Sequence, residues 1–126
     1  MTYVSRQIVD VTTATGGGVT AYTGNVNGRL ASVIYVKDGT APLASTADFT
    51  LTAEGTGEAI LAVTNINATA TWRPRAATHD VVGAASLYAA GGEPVEGLID
   101  MASDRVKIVV AQGGNTKVGR FHVTFI

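Results

Sequence analysis

The sequence predicts an all-β fold: an antiparallel β-sandwich or small β-barrel with one long irregular excursion. Three observations predict it. Phe49, Leu51 and Ala53 alternate with Thr50 and Thr52, the period of two of a half-buried strand. The same alternation returns at Val106, Ile108 and Val110, and at Phe121, Val123 and Phe125. Short apolar runs are separated throughout by glycine-rich turn segments, the spacing of sandwiches and small barrels.

The elements follow in order. Tyr3 to Val11 forms a first strand with Val9 and Val11 in phase, and Gly16-Gly17-Gly18 ends it, because three glycines cost too much backbone entropy inside an element. Residues 1–18 are thus an N-terminal strand or arm, and residues 19–126 a single β domain. Thr20–Thr23 and Arg29–Val36 are strands on either side of a turn-rich loop, Gly24 to Gly28. The β-branched and aromatic run Leu30–Val36 suits a central strand. Pro42 keeps the next segment out of a central ladder. Phe49–Ala53 and Ala59–Val63 form a hairpin around Gly55 and Gly57. Its second strand, apolar on both faces, is expected to be covered on both sides. Ala68–Trp72 is an edge strand ending at Arg73-Pro74-Arg75. Ala76 to Asp104 is the excursion, with a single helical turn expected at Ala84–Ala90. Loops of such length are usually functional or interaction segments. Arg105–Ala111 and Gly119–Ile126 are expected to pair as a second hairpin around Gln112–Lys117.

Composition narrows the function classes. The chain has 126 residues, the size of one domain able to hold a core without staples. Charged residues are 15% against the usual figure of about 25%, so much of the surface is Thr, Ser, Asn, Gly and Ala and resists association weakly. Nine basic and ten acidic residues give a net charge of −1, too little positive field for nucleic acid as a partner. No cysteine is present, which excludes disulfides and thiolate metal sites. No apolar run approaches the roughly 20 residues of a membrane span, and the first residues lack the apolar core of a signal peptide. The expectation is a protein made in the cytoplasm, with no membrane partner.

The residues offer no catalytic or metal constellation and no cofactor motif. Gly16-Gly17-Gly18 is not followed by Gly-Lys-Ser/Thr or a helix pattern, so it is a turn or arm rather than a phosphate cradle. His79, Asp80 and His122 could be drawn into a triad with Ser86 or Ser103, but Gly83-Ala84-Ala85-Ser86-Leu87 lacks the second glycine of a nucleophile elbow. Glu93, Glu96, Asp100 and Asp104 do not have calcium-loop spacing. Asn67-Ala68-Thr69 matches a glycosylation sequon by chance. The reading is a non-enzyme. Its contact candidates are Trp72, Arg73 and Arg75, with His79 and Tyr88 in the segment that follows. Trp and Arg are enriched at interface hot spots, and arginine forks onto carboxylates.

Tyr22–Leu30, Tyr35–Gly39, Asp48–Thr52, Thr56-Gly57-Glu58, Arg73-Pro74-Arg75, Arg105–Asn115 and Gly119–Val123 resemble a family of small tailed-bacteriophage proteins over residues 20–126. The resemblance implies a virion component, and the role it best suits is head decoration, or cement. It implies the major capsid protein and further copies of this chain, as a homotrimer, as partners, with residues 1–18 ordering on the capsid. A head–tail connector or tail-tube component is the alternative. An enzyme acting on the host envelope would need a carboxylate pair or triad, which the sequence lacks.

Overall fold

The computed structural model describes residues 4–126, which are all-β: among them there is no helix. Eleven strands form: β1 (Ser5–Thr12), β2 (Val19–Tyr22), β3 (Val26–Lys37), β4 (Asp48–Ala53), β5 (Ala59–Val63), β6 (Ala70–Trp72), β7 (Ala76–Ala77), β8 (Glu96–Gly97), β9 (Ile99–Asp104), β10 (Val106–Ala111) and β11 (Val118–Phe125). The first sheet runs β1-β11-β3-β6, with β9 also paired to β3. The second runs β2-β10-β4-β5, and β7 and β8 pair by themselves. All these strand pairs are antiparallel. The curled first sheet packs against the second.

Alternation explains the core. Val9 and Val11 of β1, Leu30, Val33 and Tyr35 of β3, and Phe121, Val123 and Phe125 of β11 are buried from one sheet. Phe49, Leu51 and Ala53 of β4 and Val106, Ile108 and Val110 of β10 are buried from the other. Leu30 and Val33 are three apart yet both inward, because Ala31 is extra: Thr124 faces Ser32 while Phe125 faces Leu30, a β-bulge that resets the phase. At the centre Phe49 meets Phe121 edge-on at 4.9 Å and Tyr35 at 4.8 Å. Gly119 is fixed by this packing, since a Cβ there would lie 2.9 Å from Tyr35 Cε1.

Several sequence expectations are corrected. β10 and β11 are not a hairpin: β10 pairs with β2 and β4, and β11 with β1 and β3. Their apolar faces both belong to the core, so 112–117 carries the chain from one sheet to the other. β5 is not covered on both sides. It is the edge of its sheet, and only Ile60 of its five residues is buried. The helical turn expected at Ala84–Ala90 is absent, and Ala85 and Leu87 form β-bridges instead. The excursion also ends in a true strand, β9, whose Ile99 and Met101 join the core.

The N-terminal segment belongs to the domain. Tyr3 lies outside the described residues, but from Ser5 to Thr12 the chain pairs continuously with β11. The loop after it is locked rather than loose. Gly113 N–H donates to Gly17 O at 2.8 Å, Thr13 Oγ1 donates to Gly114 O at 2.6 Å, and Thr13 N–H donates to Lys117 O at 2.8 Å. Gly17 has φ +86°, and a Cβ there would lie 2.8 Å from the Gly113 and Gly114 nitrogens. Gly17 of the triple glycine therefore serves close backbone approach.

Candidate interaction surface

One part of the chain stands off the core. β6 and β9 share the flank of β3 opposite β11, with Trp72 beside Val33 and Ile99 beside Leu30. The chain between them, residues 73–98, leaves and re-enters the sheet at that flank, and none of its residues belongs to the buried hydrophobic core. β7 and β8 close its base. Beyond them three legs converge on Ser86, whose N–H donates to Thr78 O at 2.9 Å and whose carbonyl accepts Val95 N–H at 2.8 Å. Thr78 N–H donates to Val95 O at 2.9 Å, which ties the outer legs together. The first turn is capped by Asp80 Oδ1, which accepts from Val82 N–H at 2.9 Å and Ala84 N–H at 3.0 Å. The result is a hydrogen-bonded arm.

The arm is apolar outside. Val81 is 103% exposed, Val82 83% and Tyr88 76%, and Leu87 is exposed as well. Exposed hydrophobics gathered on one projection mark interaction sites. The arm is also acidic: residues 76–97 hold Asp80, Glu93 and Glu96 and no Lys or Arg.

The sequence-derived candidates divide between body and arm. Trp72 is half-buried, with its ring edge-on to Phe49 at 6.4 Å, so it closes the end of the core. Arg73 is exposed. Arg75 braces the base of the arm, its Nη1 donating to Pro74 O at 2.8 Å and Ala31 O at 3.3 Å. His79 is exposed on the first leg, and its backbone bridges to Ala85. Tyr88 projects from the second turn.

A second surface was not found from the sequence. Residues of β1, β11 and β3 that point away from the core form cross-strand rows: Ile8, His122 and Ile34 in one, and Asp10, Arg120 and Val36 in the next. Ile8 and Val36 are exposed, and Val4 is exposed just ahead of β1. Beside this row an open groove of about 460 Å³ is lined by Asp10, Val36, Lys37, Asp38 and Arg120 among others. Arg120 Nε donates to Asp10 Oδ1 at 2.7 Å, and this bond holds the Asp10 carboxyl below its usual range. The Asp38 carboxyl is likewise lowered by the Ala41 and Thr40 N–H groups that donate to it. The signal was present in the sequence: Ile8, Ile34 and Val36 are apolar at strand positions out of phase with their buried neighbours.

Among the described residues no group of three or more His, Asp or Glu side chains gathers as a metal site. Asp100 pairs with Arg29 at 3.2 Å, and Asp104 Oδ1 accepts the Gly55 N–H at 2.9 Å. Arg105 pairs with Glu54 and stacks 3.9 Å from the Tyr22 ring centre. No helix among the described residues is long and apolar enough to cross a membrane.

No protein-family model matches the chain, and no curated protein matches its sequence. Among solved structures it is similar to the crystal structure of FLHE, at 13% identity and a TM-score of 0.44, over 97% of this chain and 96% of that one. The resemblance to tailed-phage virion proteins is corrected accordingly, and with it the head-decoration, connector and tail-tube roles. No family model matches the chain to support them. A likeness this distant adds no functional claim of its own.

Proposed function

We propose that this chain is a non-catalytic protein-binding module that meets its partner through the arm of residues 76–97. One observation carries the reading. The arm places Val81, Val82, Leu87 and Tyr88 in solvent, and only Ala76 at its base packs against the core. Such a placement lowers solubility without adding to core stability, and a partner that covers the arm removes the apolar cost. The internal bonds of Thr78, Ser86 and Val95 hold the legs together before binding, which reduces the entropy lost on docking.

A photo-crosslinking residue at Tyr88 tests this in the cells that make the protein. Discrete protein adducts are expected from Tyr88 and none from exposed Thr50 on the second sheet. A folded protein giving no adduct from Tyr88, or the same adducts from Thr50, would overturn the reading.

A further inference from the structure

We propose that the arm's partner is a second copy of this chain, and that the arm docks on the outer face of the first sheet over Ile8, Ile34 and Val36. This rests on reading the arm as the contact element. Charge complementarity points to the occupant. The arm carries Asp80, Glu93 and Glu96 without a cation, a net charge of −3, and the remaining residues hold all nine Lys and Arg against seven carboxylates, a net charge of +2. The chain is thus an acidic apolar projection attached to a basic body. Around the proposed seat lie Arg6, Arg120 and Lys37 against Asp10 and Asp38. Arg6 makes no ion pair among the described residues, whereas Arg120 is paired to Asp10.

Apolar surface supports the same pairing. The row of exposed Ile8 and half-buried Ile34, with exposed Val36 beside the groove, offers apolar contact to Val81, Val82, Leu87 and Tyr88. In its own molecule the arm leaves the seat uncovered, since Ile8 and Val36 are exposed while Val81, Val82 and Tyr88 stand in solvent. The arm leaves from the β6–β9 flank of β3, and β1 is the opposite edge of the same sheet. Different patches on each copy meet, so the contact is heterologous and closes into a ring or runs on as a filament.

Sedimentation velocity on the purified full chain tests it, with circular dichroism confirming that each variant is folded. The wild type is expected to gain mass with concentration. Val81→Asp with Val82→Asp disables the arm, and Ile8→Asp with Val36→Asp disables the seat. Each pair should weaken association roughly tenfold or more. Mixing the two variants should restore a one-to-one dimer that grows no further, since one intact arm and one intact seat remain. A wild type that stays monomeric at millimolar concentration, variants that associate like wild type, or a mixture that does not pair would overturn the proposal. Crosslinks from Tyr88 to a different protein, with the chain itself monomeric, would overturn self-docking while leaving the binding-module reading intact.

Discussion

Replacing Phe121 with alanine tests the core that holds both surfaces in place. Phe121 is fully buried at the middle of β11, the strand joining β1 to β3. Removing a buried Phe side chain costs about 3–5 kcal/mol, a large share of the 5–15 kcal/mol typical of a domain. Scaled to a domain of this length, that lowers the unfolding midpoint by about 12–20 °C. The structure also supplies an internal comparison. Phe125 is buried on the same strand, but only Phe121 stacks on rings, with Phe49 at 4.9 Å and Tyr35 at 5.4 Å. Each ring pair adds about 0.5–1.5 kcal/mol beyond area, so Phe121→Ala should fall several degrees below Phe125→Ala. Thermal melts followed by circular dichroism, with urea titrations to confirm a common slope, give both values. Equal midpoints for the two variants would remove the aromatic argument. A Phe121→Ala shift no larger than that of Thr50→Ala would show that β11 does not lie in the core.

Other outcomes follow from the same geometry. Replacing residues 79–95 by an Asn-Gly turn should leave the melting midpoint close to wild type, because no buried core residue lies in that segment; a large fall would show that the arm supports the body. Deleting residues 2–12 should abolish cooperative unfolding, since it removes Val9 and Val11 and leaves β11 unpaired on one side. Gly28 has φ +148°, and a Cβ there would stand 2.7 Å from Ile126 O, so Gly28→Ala should cost more than about 1 kcal/mol in a urea titration. Acid should destabilise the fold. Asp10, Asp38 and Glu54 have lowered folded values, so their contribution is present above the ordinary carboxylate range and lost as pH falls through the folded values. Tyr35 is raised by burial and by Asp38, so its contribution is present below about pH 10 and lost as pH rises through the folded value. Midpoints measured from pH 2 to 11 that stay flat at both ends would contradict these assignments.

The fold class was legible because the buried strands alternate in sequence. Phe49–Ala53, Val106–Val110 and Phe121–Phe125 each declare one inward face, and that face is the observed one. Partnership was less legible. Alternation says which side of a strand is buried but not which strand lies beside it, so β10 and β11 looked like a hairpin although a six-residue loop carries the chain between sheets. β9 was hidden because Ile99 and Met101 follow a long stretch without alternation. The alanine run at 84–90 favoured a helical turn by propensity, but the Thr78, Ser86 and Val95 bonds and the glycines at 83, 91 and 92 draw it into an extended leg. Trp72, the most prominent contact candidate in the sequence, sits against the core edge, whereas Tyr88 lies fully outside it.

The division of labour within the chain bears on how it could work. Its stability resides in two sheets that share one core, and the arm adds none of that core's residues. A change at Val81 or Tyr88 therefore alters contact without a core penalty, while a change at Phe49 alters both surfaces through the sheets that hold them. The seat is part of the sheet that carries the arm: Ile34 and Val36 lie on β3, whose opposite flank receives the arm's base through β6 and β9. Arg75 fixes that base to the Ala31 carbonyl at the bulge of β3. Arm and seat are thus set at a constant separation by one continuous strand. Rigid spacing of complementary patches is what lets a heterologous contact repeat with the same geometry from copy to copy. A flexible tether in place of the braced base would let the same two patches meet at many angles and lose that regularity.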